Sequence, residues 1–284
     1  MFRLVNVEGR PALEHAGSFY DVARLAGDGS LATAAACLAR SQELHELAGR
    51  CDGAEPDGRL DQALLGPPVP DARQVFGIGL NYLSHAAESG MDLPPAPLTF
   101  TKFPSCLAGP TTDVTLSGPM VDYEAEVVVA IGARCRNVAE ERAWDVVAGI
   151  TAGQDISDRV VQLSGSPPQF CLGKSFNGYG PIGPALVSVD AFADPDDIGL
   201  RCEVGGEVVQ EASTAELIFD VPRLVSYLSS ICTLYPGDLI FTGTPDGVGM
   251  ARGRFLVPGD EIVTRVEGVG ELRNRCVATD KEED

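Results

Sequence analysis

Short apolar runs separated by glycine and proline turns dominate the hydropathy pattern of this chain, and most are too short for helices. The most apolar of them, Val127-Val128-Val129-Ala130-Ile131, is hydrophobic on both strand faces, as a strand covered from two sides must be. Similar runs predict strands over residues 4–7, 74–80, 98–102, 148–155, 185–189, 200–204, 207–210, 239–242, 261–266 and 271–276. Turns such as Tyr235-Pro236-Gly237-Asp238 and Val257-Pro258-Gly259-Asp260 punctuate them. Helical spacing predicts an amphipathic helix over 31–47 with Ser30 as its N-cap, and helices over 140–147 and 221–231. A helix entry follows the strand at 74–80. The pattern is that of an α+β chain, mostly β, with a mixed sheet that rolls rather than a doubly wound one. Gly66-Pro67-Pro68-Val69-Pro70 reads as a break, so a small N-terminal α/β domain over 1–70 and a main domain over 71–284, ending in a short acidic tail, are expected.

Composition narrows the class. A hydrophobic fraction of 44% is ample for a core, and no apolar run approaches the ~20 residues of a membrane span. The first residues lack the basic-then-apolar plan of a signal peptide, so a cytoplasmic location is expected. Eight cysteines are scattered singly without a C-x-x-C pair, which points to free thiols rather than a disulfide or zinc framework. A net charge of −20 argues against a nucleic-acid partner. Only three of the 21 basic residues are lysine: Lys102, Lys174 and Lys281. Where arginine is the habitual cation, a retained lysine suggests a need for a compact, tunable ammonium.

Successive strand residues face opposite ways, so Glu124 and Glu126 share a face, with Asp122 just before them. Carboxylates crowded at the mouth of a buried strand repel each other and lose hydration, and they call for protons or a cation. Asp155, ending the strand at 148–155, supplies a third hard oxygen, a set suited to Mg²⁺ or Mn²⁺, with Ca²⁺ also compatible. His85 and Glu88, at i and i+3 on the helix entry, have the form of a base with its orienting carboxylate. Solvated acids at a frayed strand end and an ordinary pair on a helix surface would give the same patterns. Gly77-x-Gly79 lacks the third glycine of a dinucleotide fingerprint.

A longer set of motifs adds to this reading. Phe76-Gly77-Ile78-Gly79-Leu80-Asn81-Tyr82 with His85 and Glu88, Asp122-Tyr123-Glu124-Ala125-Glu126, Gln154-Asp155-Ile156-Ser157 with Arg159 and Gln162, Gly173-Lys174-Ser175-Phe176, and Thr242-Gly243-Thr244-Pro245 with Gly247-Val248-Gly249 occur in order. In that order they resemble the fumarylacetoacetate hydrolase family over residues 74–276. The resemblance implies a mixed β-roll, a homodimer and a divalent metal held by Glu124, Glu126 and Asp155. It implies a water-activating His85–Glu88 dyad and Lys174 as a catalytic cation. Lys102, Arg159, Gln162 and Thr244 would hold a small anionic 2-oxo acid. The implied reaction is hydrolysis of a C–C bond in an acylpyruvate-type 2,4-dioxo acid through a stabilised enolate. Decarboxylation or isomerisation of a 2-oxo or 2-hydroxy-2-ene dicarboxylic acid is the alternative within the family, and a catalytically inactive, metal-stabilised binding protein the alternative outside it. Departures from the family pattern fall at Phe103, between Lys102 and Pro104, at Asp158 and Val160 around Arg159, and at Asn177-Gly178.

Overall fold

A computed structural model describes residues 1–279; the acidic end of the tail, with Lys281, lies outside the described residues. Seven strands form the spine of a twelve-stranded sheet: β1 (Arg3–Val7), β2 (Val75–Gly79), β3 (Leu98–Thr101), β4 (Ala125–Ile131), β5 (Val147–Gln154), β6 (Gly180–Ser188) and β7 (Leu239–Phe241). Their order across the sheet is β1-β6-β5-β4-β7-β2-β3, and every neighbour is antiparallel except the β7–β2 pair. On its free side β1 continues the sheet into the hairpin Arg10–His15 and Ser18–Asp21, so strands from the first seventy residues share the sheet with the rest. A second, five-stranded sheet runs Glu207–Ser213, Gly199–Val204, Glu261–Val266, Gly270–Ala278 and Val114–Leu116. The architecture is mixed and mostly β.

The two-sided apolarity of β4 has a direct structural counterpart. Val127, Val129 and Ile131 enter one core with Leu200, Ile262 and Leu272 of the second sheet and Leu224 of the helix Val221–Ile231. Val128 and Ala130 enter another with Leu4, Leu38 and Leu44 of the N-terminal region. Each buried valine contributes about 1.5–3 kcal/mol, and β4 can collect this on both faces only because both are covered.

Two predicted helices take a different form. The segment 31–47 is two helices, Ala34–Leu38 and Ser41–Ala48. Thr33, not Ser30, caps the first, its hydroxyl accepting from Ala36 N at 3.3 Å. Arg40 interrupts the pattern because its guanidinium reaches back to Asp28 at 2.7 Å and to Ser30 at 2.9 Å, with backbone angles that are not helical. The segment 140–147 is two 3₁₀ turns, Glu140–Arg142 and Trp144–Val146. Four short helices surround the end of β4: α1 (Leu83–Ser89), α2 (Arg159–Gln162), α3 (Phe170–Gly173) and α4 (Gly249–Arg252).

Register places the acids. Ala125 pairs with Gln154 and Glu126 with Gly153, and one step further Asp155 N donates to Glu124 O at 2.8 Å. The absence of a side chain at 153 is required, since a Cβ there would lie 2.5 Å from a Val128 methyl and 2.9 Å from the Phe241 ring. Gly153→Ala should therefore overpack this face and lower stability by about 1–3 kcal/mol, read as a drop in the urea midpoint; an unchanged midpoint would mean that the sheet yields here.

Candidate active site

Glu124, Glu126 and Asp155 are buried, and ligand oxygens of the three lie within 4.8 Å of one another. Charges about 5 Å apart repel by roughly 3 kcal/mol at an effective dielectric near 20, so the cluster needs compensation. Lys174 provides part of it, its ammonium donating to Glu124 Oε2 at 2.7 Å, Asp155 Oδ2 at 2.6 Å and Ser157 Oγ at 2.9 Å. Lys102 donates to Asp155 Oδ1 at 2.7 Å and to the carbonyls of Lys174 and Tyr179. Arg159 spans Asp122 at 2.7 Å and Glu124 at 2.8 Å and donates to Gln162 Oε1 at 2.8 Å.

Four carboxylates thus face three cations, and Glu126 is left without one among the described residues. Among the described residues its sole donor is the backbone N–H of Gly243, at 2.7 Å. Burial, then the neighbouring Asp155 and Glu124, hold the Glu126 carboxyl well above the usual carboxylate range. Burial alone would raise Glu124 as well, but Lys174, Arg159 and His85 hold it well below. Burial would lower Lys174, and Asp155 and Glu124 override it and raise the ammonium. Hard oxygens with one anion uncompensated fit a divalent metal such as Mg²⁺ or Mn²⁺, held by Glu124, Glu126 and Asp155.

The dyad comes from α1. His85 Nδ1 lies 2.7 Å from Glu88 Oε1, and because a carboxylate only accepts, the ring donates there and leaves Nε2 as its basic nitrogen. Glu88 Oε2 in turn accepts from Gly247 N at 2.9 Å. Gly247 has φ +97°, and a Cβ would fall 1.9 Å from Val209 O, so only glycine fits where this N–H is needed.

A cavity of about 170 Å³ has one member of the triad and one of the dyad in its wall. His85, Glu124, Arg159, Gln162, Lys174 and Thr244 all line it. Thr244 has its hydroxyl committed, donating to Ala125 O at 2.9 Å and accepting from Gln210 Nε2 at 2.8 Å. Lys102 stands behind the triad with its ammonium protons placed on Asp155 and two carbonyls, and it does not line the cavity.

Sequence reasoning grouped Asp122 with Glu124 and Glu126 but assigned it no role. It accepts from Arg159, from Tyr123 N at 2.8 Å, from Gly249 N at 2.6 Å and from Met250 N at 2.9 Å, which makes it the anchor of the arginine. Its i−2 spacing from Glu124 was the available signal. Of the departures from the family pattern, Asp158 caps α2 by accepting from Val160 N and Val161 N at 2.9 and 3.1 Å.

Buried acids, a base with a fixed tautomer and a cavity between them describe the site of a metal-assisted enzyme. Residues 74–277 match the family described as Fumarylacetoacetate (FAA) hydrolase C-terminal, and the chain belongs to the fumarylacetoacetate hydrolase family. It is 46% identical, with TM-score 0.93, to a crystal structure from Mycobacterium smegmatis to which the HpcE name is provisionally attached, over 98% of this chain and 100% of that one. It is 39% identical to human oxaloacetate tautomerase FAHD2A, mitochondrial, over 74% of this chain and 68% of the relative. Maleylpyruvate hydrolase from Sphingobium sp. SYK-6, solved in complex with manganese (II) ion and pyruvate, is 28% identical with TM-score 0.82, over 97% and 99% of the two chains.

Two outcomes are expected. The raised Glu126 carboxyl contributes its full stability at low pH and loses it as pH rises through the raised value, a loss that a bound cation removes. The rise in Tm on adding Mg²⁺ or Mn²⁺ should therefore grow with pH, and Glu126→Gln should flatten that growth and weaken binding; a shift that is the same at every pH, or intact in the variant, would contradict this. Lys174→Met, which strands two buried carboxylates, should cost about 3–5 kcal/mol without metal, with part of the loss recovered when metal is added; a variant as stable as wild type in chelator would contradict it.

Proposed function

We propose that this chain is a divalent-metal-dependent enzyme working on a small 2-oxo carboxylic acid through its enolate, and that its reaction is keto–enol tautomerisation. The observation that carries the reading is the His85–Glu88 dyad, whose histidine lines the same cavity as Glu124 of the triad and Lys174. When bound, the metal supplies Lewis-acid polarisation of the 2-oxo group. His85 removes a proton from the enol oxygen or from the carbon beside the carbonyl, and returns it to the other. Glu88 stabilises the imidazolium formed in between, and Gly247 keeps Glu88 in place. Lys174 and Arg159 set positive charge at the end of the cavity where the enolate develops. Tautomerisation asks for nothing beyond this base and this charged cluster. The human relative's name supports it.

A second reading, hydrolysis of an acylpyruvate-type 2,4-dioxo acid, is favoured by the likeness to the Sphingobium hydrolase and by the apolar part of the cavity lining. There His85 takes its proton from water, the water oxygen attacks the distal carbonyl, and the C–C bond electrons pass into the departing enolate. A homodimer and a cytoplasmic location belong to the same proposal; eight free cysteines support a reducing compartment, and no helix among the described residues is long and apolar enough to cross a membrane.

Isotopes separate the two reactions. Tautomerisation exchanges solvent deuterium into the carbon beside the carbonyl and leaves the carbon skeleton whole, whereas hydrolysis places solvent ¹⁸O in a released acid. His85→Ala should lower either rate by ~10²-fold or more with metal affinity nearly unchanged. Full turnover by this variant would remove the dyad from the mechanism.

A further inference from the structure

The cavity is chemically divided. Besides His85, two cationic side chains line it, and both of these, Arg159 and Lys174, are already committed to Asp122, Glu124 and Asp155 at 2.6–2.8 Å. Among the described residues no other arginine or lysine lines it. The remainder is largely hydrocarbon drawn from separate elements: Ile78 of β2, Leu98 and Phe100 of β3, Leu163 after α2, Phe170 of α3 and Met250 of α4. Phe100 marks the border. Lys174 Nζ lies 4.9 Å from its ring centroid, and the Phe170 ring packs edge-on against it at 6.1 Å. Leu98, Leu163 and Met250 remain 39%, 45% and 43% exposed, apolar surface that the fold itself leaves uncovered.

We propose, resting on the reading of this site as one for 2-oxo acids, that the substrate's tail beyond the 2-oxo acid head is an uncharged hydrocarbon or acyl group, and that the site discriminates against 2-oxo dicarboxylic acids. The charged cluster takes the head. The tail then runs past Phe100 towards Phe170 and the exposed leucines and methionine, whose surface it removes from water. A second carboxylate in that position would lose hydration without gaining a cation. The preference would set this chain apart from the human relative, since the oxaloacetate of its name is a dicarboxylate.

Equilibrium binding tests this without depending on which reaction follows. Calorimetry on the Mn²⁺-loaded protein compares 2-oxohexanoate with 2-oxoadipate, and 2-oxobutyrate with 2-oxopentanoate and 2-oxohexanoate. The monocarboxylate should bind at least about tenfold more tightly than its dicarboxylate partner, and each added methylene should tighten binding about three- to fourfold. Leu163→Arg, at a half-exposed position on the cavity wall, should narrow or invert the preference, while Leu163→Gln should not. Equal or tighter binding of 2-oxoadipate to the wild-type protein overturns the inference and leaves the 2-oxo acid reading standing. Failure of every 2-oxo acid to bind the metal-loaded protein overturns both.

Discussion

Four carboxylates and three cations, all withdrawn from water at the end of β4, constrain everything around them. A buried charge is tolerated only when paired and hydrogen-bonded, and every member here but Glu126 meets that demand through a different part of the chain. Strand register supplies Asp155 opposite Glu124. The segment after β5 supplies Ser157 and Arg159, and the turn after α3 supplies Lys174. Among the described residues Glu126 alone stays uncompensated, so they stop one positive charge short of balance where a divalent cation would stand. A site complete without metal would have less reason to bind it.

The loop from Thr242 to Met250 turns this cluster into a device with a fixed base. Its backbone N–H groups reach Glu126, Glu88 and Asp122, one carboxylate from the triad, one from the dyad and one behind Arg159. Gln210 pins the loop to β4, donating to Thr244 Oγ1 and Pro245 O while accepting from Ala125 N. Main-chain donors of one loop therefore hold a carboxylate of the dyad and a carboxylate of the triad in place. Such preorganisation is what proton transfer beside a developing enolate requires.

How much of this the sequence disclosed depended on the range of the interaction. The strand at β4 was legible because five consecutive apolar residues satisfy both faces at once, and the grouping of Glu124 with Glu126 followed from alternation alone. Asp155 joins them through pairing between adjacent antiparallel strands, which hydropathy, though it marked both runs as strands, did not disclose. The helix over 31–47 failed for a local reason that periodicity does not see, the pull of Asp28 and Ser30 on Arg40. Lys102 was visible as a rare lysine, yet two of its acceptors are backbone carbonyls distant in sequence. No side-chain pattern announces a carbonyl. The same limit hid the N–H donors of the loop, where the glycines were readable and their carboxylate partners were not.

The two internal lysines show why composition still carried information. Lys102 directs its ammonium protons at three oxygens around one nitrogen, and Lys174 does the same. A planar guanidinium could not place its donors this way, and its width would push Asp155 away from Glu124. Arg159 meets the opposite requirement: it spans two carboxylates and an amide along one plane, the task for which a fork is suited. The chain uses arginine nearly everywhere else because most of its cations sit at the surface, where geometry is undemanding. Inside, the shape of the charge matters as much as its sign, and that is where Lys102 and Lys174 are kept.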